Sequence, residues 1–289
     1  MQFSSKENMD KKQEIKPGLY VVSTPIGNLE DMTLRAICIL KNSDLILCED
    51  TRTSIKLLKK FNINTKMVSY HKFNEKKRLE KIIQIIKNNK IVSLISDAGT
   101  PVISDPGMIL IKGCIKNNIV LHPIPGPSAV TSALSVSGFD EKFLFYGFLP
   151  NSETQIKNKI KNLHDFPYSI IFFVSSNKIN KVIKIFKIFF SERKIMIAKE
   201  ITKIYENFIR DDVNSLDVSK HNLKGELTVV ISNKLNVKKK SLNQLGESVK
   251  SEIKLMLKKY SNKDVSDFIS KREKISKKII YDYCISLKK

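Results

Sequence analysis

The sequence predicts a two-domain α/β protein, in which an N-terminal parallel-sheet α/β domain precedes a C-terminal α+β domain with a helical tail. Strand-like and helix-like runs alternate through the first half, strand-like runs become neighbours in sequence from about residue 143, and the chain turns basic and helical after residue 234. Regular alternation is typical of a parallel sheet covered by helices on both faces. We place the domains at 17–125 and 126–235, a basic helical extension at 236–289, and a disordered tail at 1–16.

The first domain contains five short β-branched or apolar runs separated by longer runs with helical periodicity. The runs that predict strands are 19–24, 44–49, 66–70, 91–96 and 119–124. The runs that predict helices are 32–42, 52–61, 75–88 and 106–117. Apolar residues at 79, 82, 83, 85 and 86 form one face of a 3.6-residue period, which is the clearest of these helical signals.

Two of these helices carry capping signals. Asn74 precedes the helix at 75–88 and is a plausible N-cap, because asparagine side chains accept hydrogen bonds from free helical N–H groups. Asp105 followed by Pro106 predicts a cap and a first-turn proline for the next helix.

The second domain is predicted from four strand-like runs and one helix. The strands are expected at 143–149, 169–175, 194–199 and 226–232, and the helix at about 178–190. Three further helices are expected in the extension, at 241–259, 263–271 and 274–287. The last two resemble a helix-turn-helix, although packing on the second domain is the simpler interpretation.

The composition fits a globular protein of the cytoplasm. Hydrophobic residues make up 42% of the chain, no apolar run approaches the roughly 18 residues of a membrane span, and the N-terminus lacks the apolar core of a secretory signal. Four scattered cysteines form no C-x-x-C pair, so we expect neither a disulfide framework nor a metal site.

The net charge of +22 allows two interpretations. Clustered lysine and arginine neutralise nucleic-acid phosphates, which favours an RNA or DNA partner. Only six of the 51 basic residues are arginine, however, and lysine, isoleucine and asparagine are abundant throughout. The charge therefore also fits solvated faces of a chain encoded by AT-rich DNA.

Three predicted strands end in loops that combine proline, glycine and small hydroxyl residues. These loops read TPIGN at 24–28, SDAGTPVISDPG at 96–107 and PIPGPSA at 123–129. The carboxyl ends of parallel strands share one sheet edge, where ligands bind. Because G-x-G-x-x-G and G-x-x-x-x-G-K-[ST] are both absent, the pocket suits a ligand without phosphate, such as an adenosyl sulfonium.

In order and spacing, the chain resembles the ribosomal RNA small subunit methyltransferase I family of the tetrapyrrole methylase superfamily. The segments that carry the resemblance are TPIGNLED, CEDTRTS, HKFNE, SDAGTPVISDPG, PIPGPSAV, YGFLP, KEITKIYE and KGELTVVI. The resemblance implies a class III methyltransferase fold with S-adenosylmethionine in the cleft between two domains. It also implies 2′-O-methylation of cytidine 1402 in 16S rRNA, the small ribosomal subunit as partner, and a homodimer.

The resemblance also implies which residues hold the cofactor. Asp97, Ala98 and Gly99 would hold its methionine part. Ser128 and Ala129 would lie near the same ligand. Pro25 and Gly27 would shape the channel for methyl transfer.

The general base and the RNA contacts stay open at this point. The candidate bases are Glu49, Asp50, His71, Asp105 and Glu200. The candidate RNA contacts are Arg52, Lys199, Lys203 and Lys224. Asp50 and Arg52 could equally form a helix cap or salt bridge, Glu200 could satisfy backbone groups, and His71 could be an ordinary polar residue.

The second domain departs from the family pattern. Relatives have Glu-Ser-x-His-Arg where this chain has Val-Ser-Ser-Asn-Lys at 174–178, and Arg-Arg-Lys-Gly-Glu where it has Asn-Leu-Lys-Gly-Glu at 222–226. Lysine keeps the charge of arginine but loses its bidentate geometry. Two alternatives therefore remain, a tetrapyrrole methyltransferase of the same superfamily and a ribosome-binding relative without catalysis.

Overall fold

A computed structural model describes residues 14–234, 245, 247–273 and 275–287. The chain divides into two compact units, Met1–Asn233 and Lys234–Lys289. Most of the predicted tail at 1–16 and the start of the helix predicted at 241–259 lie outside the described residues. The domain boundaries at 125 and 235 stay predictions.

The first unit begins with a five-stranded parallel sheet. Its strands are β1 (Gly18–Val22), β2 (Leu45–Cys48), β3 (Met67–Ser69), β4 (Ile91–Leu94) and β5 (Leu121–Ile124), in the order β3-β2-β4-β1-β5. All neighbouring strands run parallel. The five strands predicted for this region are confirmed, each shorter than its apolar run.

Helices cover both faces of this sheet. They are α1 (Leu34–Asn42), α2 (Thr51–Lys60), α3 (Glu75–Lys87) and α4 (Met108–Lys116). Leu19 packs in an apolar cluster with Ile83 and Leu110 of α3 and α4, whereas its neighbour Tyr20 packs with Leu40 of α1 in a second cluster. Successive strand residues therefore bury side chains in opposite layers, as a parallel sheet between helices requires.

The first capping prediction is confirmed in position but not in its hydrogen bond, and the second is wrong. Asn74 precedes α3, but its side chain does not cap the helix; its Oδ1 accepts from His71 N at 2.9 Å instead.

Helix α4 begins at Met108 after Gly107, not at Pro106. Gly107 has φ +127°, its N–H donates to the buried Glu75 carboxylate at 3.2 Å, and an added Cβ would lie 2.7 Å from a Leu94 methyl. Asp105 is thereby free of the cap and belongs to the loop before the helix.

The second sheet has five strands in mixed directions. These are β6 (Phe143–Phe148), β7 (Ser169–Ser175), β8 (Lys194–Lys199), β9 (Asn207–Asp212) and β10 (Glu226–Ile231), in the order β6-β7-β10-β8-β9. Strands β6 and β7 are parallel, and the other pairs are antiparallel. This arrangement confirms the predicted α+β character.

Three helices pack on the second sheet, whereas bounds were predicted from the sequence for one, at about 178–190. Helix α5 (Ala129–Ser137) covers one face, where Val130 and Ala133 contact residues such as Met196, and α6 (Glu153–Lys161) and α7 (Ile179–Phe189) cover the other. Helix α5 follows β5 of the first sheet directly in sequence. It therefore connects the two sheets by a short, packed segment.

The second unit contains α8 (Glu247–Met256), α9 (Asn262–Glu273) and α10 (Lys277–Ser286). Their buried core includes Ile253, Ile269 and Ile280. The three helices predicted for the extension are confirmed within the described residues. Among the residues that the structure describes, none of the helices combines the length and apolar character needed to cross a bilayer.

Arg193 fixes the connections at one end of the second sheet. The residue is 3% exposed, and its guanidinium donates to four backbone carbonyls. The acceptors are His164 at 2.8 Å, Phe166 at 2.6 Å, Tyr168 at 3.4 Å and Ser232 at 3.2 Å. These carbonyls belong to loops that lack regular backbone partners, so one buried side chain satisfies the polar groups of several turns.

We expect Arg193→Met to lower the free energy of unfolding by at least about 3 kcal/mol, because it leaves several buried carbonyl groups without donors. Urea unfolding followed by circular dichroism measures the change. Lys194→Met is the matched control, because Lys194 is exposed and adjacent. Equal loss in both variants would contradict this role of the guanidinium.

Candidate active site

A cavity of 360 Å³ lies between the two sheets of the first unit. On one side it is lined by the loop after β4 and the start of α5, and on the other by the end of β7 and the start of β10. Its volume is in the range of about 300–1,000 Å³ that is usual for small-molecule sites. The prediction of a ligand pocket at the carboxyl edge of the first sheet thus corresponds to a real cavity.

Hydrogen bonds hold the three predicted loops together. Thr24 and Gly99 exchange backbone hydrogen bonds of 2.9 and 3.0 Å, which joins the TPIGN loop to the SDAGTP loop. The Thr100 hydroxyl donates to the Pro127 carbonyl at 3.3 Å and lies 3.0 Å from the Ser23 hydroxyl. The loops therefore form one connected wall rather than three independent turns.

Gly99 adopts a left-handed conformation in this wall, with φ +76°. An added Cβ would lie 3.3 Å from a methyl group of Ile26. Glycine reaches this conformation without steric cost and leaves the backbone open to a ligand.

The charged residues of the cavity wall are all acidic. Asp97, Asp105 and Glu226 line the cavity, and among the described residues that surround it there is no lysine or arginine. Such a wall favours a ligand that carries positive charge and disfavours a phosphate. The negative charge of the lining residues therefore agrees with the absence of phosphate-binding motifs from the sequence.

Asp105 is the most strongly perturbed carboxyl of the cavity. Burial and the nearby negative charge of Glu49 raise its pKa from 3.8 to about 6, against the opposing effect of a hydrogen bond with Ser96. Burial also raises the pKa of Asp97, although the N–H of Asp50 donates to its Oδ1 at 3.1 Å. Burial and the charge of Asp97 raise the pKa of Glu49 as well. Glu49, Asp97 and Asp105 thus form a group of three carboxyls, of which Asp97 is exposed and the other two are partly buried.

Asp50 and Arg52 adopt the structural arrangement that the sequence left open. The Asp50 carboxylate accepts from Arg52 N at 2.8 Å and so caps α2, and it pairs with the Arg52 guanidinium at 2.7 Å. These bonds lower the pKa of Asp50 to about 2. A carboxylate engaged in this way is a weak proton acceptor.

Glu200 accepts a hydrogen bond from a backbone N–H, which is the structural role that the sequence left open for it. Its Oε1 accepts from Glu226 N at 2.8 Å and from the Lys203 ammonium at 3.0 Å, and these contacts lower its pKa. Lys203 bridges to Glu226 at 3.0 Å. Gly225 makes this approach possible, because an added Cβ would lie 2.6 Å from the Glu200 carboxyl.

The remaining candidates are placed as follows. His71 lies in a turn where the Asn74 side chain contacts its Nε2 at 3.1 Å. The Arg52 side chain is 89% exposed, and Lys224 is exposed. Lys199 is only 8% exposed, so its side chain is withdrawn from direct contact with RNA. Lys199 is buried because β8 lies between β10 and β9, and β9 was not predicted from the sequence.

Five of the seven predicted cofactor residues line the cavity: Asp97, Ala98, Gly99, Ser128 and Ala129. Pro25 and Gly27 do not, and only Ile26 between them reaches it. Gly27 lies instead in a neighbouring hollow with Glu200 and Lys203.

Residues 18–217 match the family model described as Tetrapyrrole (Corrin/Porphyrin) Methylases. The chain is also 44% identical over 232 residues to a protein of Rickettsia prowazekii named "Ribosomal RNA small subunit methyltransferase I", covering 79% of this chain and 83% of that one. The chain belongs to the ribosomal RNA small subunit methyltransferase I family of the tetrapyrrole methylases. A similarly named protein of Buchnera aphidicola is 37% identical over 279 residues, which covers 93% of this chain and 96% of the relative.

The fold of the family is confirmed by a solved structure. Uroporphyrin-III C-methyltransferase from Thermus thermophilus, complexed with S-adenosylhomocysteine, superposes with a TM-score of 0.53 over 76% of this chain and 99% of that one. The two sequences are 13% identical, so the likeness concerns the fold alone. The predicted two-domain tetrapyrrole-methylase fold is thus confirmed.

The resemblance implied a cleft between two domains, but no residue was predicted for the far wall of the cavity. It consists of Phe148, Phe173–Ser176 and Gly225–Thr228, all from the second sheet. The apolar run of β7 indicates a buried strand, and nothing local indicates that its end faces a ligand. The one local signal is Gly225 directly before β10, since a glycine at a strand end often permits close backbone approach.

We expect Asp105→Asn to stabilise the protein at pH 8 and to have little effect at pH 4. Because the folded state holds the Asp105 proton more tightly than the unfolded state, its contribution to stability is complete below pH 3.8 and is lost as the pH rises through about 6. The rise in pKa sets an upper limit of ~3 kcal/mol, and we expect a gain of about 1–2 kcal/mol.

Urea unfolding at pH 4, 6 and 8 measures this gain. Glu141→Gln, which removes an exposed carboxyl from the same unit, controls for net charge. The same stability change at all three pH values would refute the burial cost assigned to Asp105.

Proposed function

We propose that this protein transfers a methyl group from S-adenosylmethionine to the 2′-oxygen of cytidine 1402 in the 16S rRNA of the small ribosomal subunit. The carrying observation is a carboxylate-lined cavity whose described lining residues include no lysine or arginine, in a chain 44% identical to a ribosomal RNA small subunit methyltransferase I. The names of the relatives support the rRNA substrate. The resemblance of the loop motifs supports the position and the ribose oxygen.

The cavity residues fit S-adenosylmethionine. The carboxylates of Asp97 and Asp105 supply negative charge for a ligand that carries an ammonium and a sulfonium. Phe148 and Phe173 supply apolar surface, and the open backbone at Gly99 lets polar main-chain groups reach the ligand. We assign Asp97, Ala98, Gly99, Ser128 and Ala129 to cofactor binding.

Pro25 and Gly27 are proposed to act indirectly. Ile26 between them lines the cavity, and Gly27 packs so closely on the β8–β9 loop that an added Cβ would lie 2.5 Å from the Lys203 side chain. The two residues thus fix the path of the chain that presents Ile26.

When bound, S-adenosylmethionine supplies a methyl group on a positively charged sulfur that is already activated for displacement. A ribose hydroxyl is a weak nucleophile at neutral pH, so a base that accepts its proton increases the rate. We assign this role to Asp105, because it lines the cavity and has a pKa of about 6. Its carboxylate is ionised at pH 7 and still basic enough to take the 2′-hydroxyl proton.

The other candidate bases are less well placed. Asp50 and Glu200 are engaged in ion pairs that lower their pKa values. Glu49 and His71 do not line the cavity. We propose that Glu49 instead raises the basicity of Asp105 through its negative charge.

We also propose that the protein acts in the cytoplasm, as a homodimer, on an assembled or nearly assembled subunit. Exposed apolar residues on the loop between β8 and β9 support an interface, since Ile204 is 94% and Tyr205 74% exposed. Light scattering should give twice the chain mass of 33.1 kDa.

A methylation assay with labelled S-adenosylmethionine tests the function. Purified small subunits and naked 16S rRNA are offered side by side, and the modified ribose is mapped by its resistance to alkaline cleavage. We expect 2′-O-methylcytidine at position 1402 on subunits. Cofactor binding without transfer to either RNA would overturn the proposal and favour a ribosome-binding relative without catalysis, and transfer to a tetrapyrrole would favour the other alternative.

Gly99→Ala is expected to weaken S-adenosylmethionine binding about tenfold or more, because the new methyl group enters the cavity wall beside Ile26. Calorimetric titration measures the affinity. Gly138→Ala is a matched control, since Gly138 has φ +74°, close to the +76° of Gly99, and nothing lies within 4 Å of an added Cβ. Equal weakening in both variants would show that backbone strain alone is responsible.

Asp105→Asn is expected to lower the single-turnover methylation rate by about 10²–10⁴-fold, the usual contribution of a general base. The wild-type rate should rise with pH up to about 6 and then level off, and the variant should lose this dependence. Glu49→Gln should retain most of the rate but lower the pH at which it levels off. If Glu49→Gln abolishes the reaction instead, the base is assigned to the wrong carboxyl.

A further inference from the structure

A second groove, of 740 Å³, lies on the second sheet side of the first unit. One wall is the exposed face of α7, and the other is the segment at 216–224, which includes a short 3-10 helix at Val218–Lys220. We call it the lysine groove. Ser176 also lines the cavity and Lys224 is a candidate RNA contact, but the other residues of the groove have no role in the candidate active site.

Lysine, histidine and amide side chains line the lysine groove. Lys184 and Lys187 come from α7, and His221 and Lys224 come from the facing segment. Three amide side chains add hydrogen-bond donors and acceptors: Asn177, Asn180 and Asn222. Such groups bind phosphate and sugar oxygens without reading the base sequence.

The groove contains one carboxylate among its described lining residues, Asp217, and this carboxylate is already engaged. Its Oδ1 accepts from Ser219 N at 3.0 Å and from the Ser219 hydroxyl at 2.7 Å. Lys220 lies 4.0 Å from its other oxygen. Lys184, Lys187 and Lys224 outnumber this single carboxylate, so the described lining of the groove carries a net positive charge.

The lysine groove adjoins the cavity. Ser176, directly after β7, lines both. Lys224 lines the groove, and the next residue, Gly225, lines the cavity. A strand lying in the groove would thus lead to the mouth of the cavity.

We propose that the lysine groove binds the sugar-phosphate backbone of the rRNA strand next to the methylated nucleotide. This inference rests on the proposed function, since it takes rRNA as the substrate. The charge of the two sites favours this division, because the cavity wall is acidic whereas the groove is basic. The groove lysines would position the RNA strand, because a lysine ammonium contacts phosphate as a point charge.

The test compares the triple variant K184A/K187A/K224A with wild type in RNA binding. Affinity for small subunits and for a naked 16S rRNA fragment containing the decoding region is measured by filter binding over a series of KCl concentrations. Loss of three phosphate contacts should make the negative slope of log affinity against log salt less steep by about 2. It should also weaken binding about 100-fold at 0.1 M salt. Cofactor affinity should be unchanged.

K81A/K112A/K116A is the matched control, because these three exposed lysines lie on α3 and α4 and change the net charge equally. Equal weakening in both triple variants would overturn the proposal in favour of general charge attraction. Weakened binding to subunits with unchanged binding to naked rRNA would overturn it in favour of a ribosomal protein contact. An unchanged slope in the groove variant would overturn it directly.

Binding and methyl transfer are measured separately so that the two proposals can fail independently. If wild type binds rRNA through the groove but transfers no methyl group, the proposed function fails and the groove assignment stands. If the groove variant binds rRNA like wild type while methylation proceeds at position 1402, the groove assignment alone fails.

Discussion

The cavity depends on one pair of backbone hydrogen bonds, those exchanged by Thr24 and Gly99 above the first sheet. Strands β1 and β4 are neighbours in the sheet, and their loops would diverge beyond it without this bridge. The bridge fixes Gly99 in its left-handed conformation and presents Asp97 and Ala98 to the cavity. The contact of Thr100 with Pro127 then extends the same wall to the start of α5.

Charge divides the molecular surface around this wall into two environments. The cavity gathers carboxyls at a cost, because burial and mutual repulsion raise the pKa of Asp105 to about 6. Proteins retain such a loss of stability where function requires a carboxyl with a perturbed pKa. The adjacent groove has the opposite charge, to which α7 contributes Lys184 and Lys187. A cationic cofactor and a polyanionic substrate can thus occupy neighbouring sites.

The elements predicted well from sequence are those with strong local signals. The first sheet follows from buried β-branched runs, and α3 follows from its apolar face. Strand β9 and helix α6 were missed because they bury few residues, only Ile209 in β9 and Ile156 and Ile160 in α6. The cofactor loops were predicted because each carries its own proline and glycine signature. The opposite wall and the lysine groove arise from segments far apart in sequence, and no local pattern indicates that they meet.

Helix α5 has a consequence for how the site selects its ligand. By sequence it continues from β5 of the first sheet, and by packing Val130 and Ala133 belong to the second. A hinge rotation of one sheet against the other would have to expose these buried side chains or break the link from Thr100 to Pro127. The cavity therefore has fixed dimensions and does not open and close by rotation of one sheet against the other. The cofactor and its demethylated product have similar dimensions, so the positive charge of the sulfonium, which the acidic wall favours, is what distinguishes them in this site.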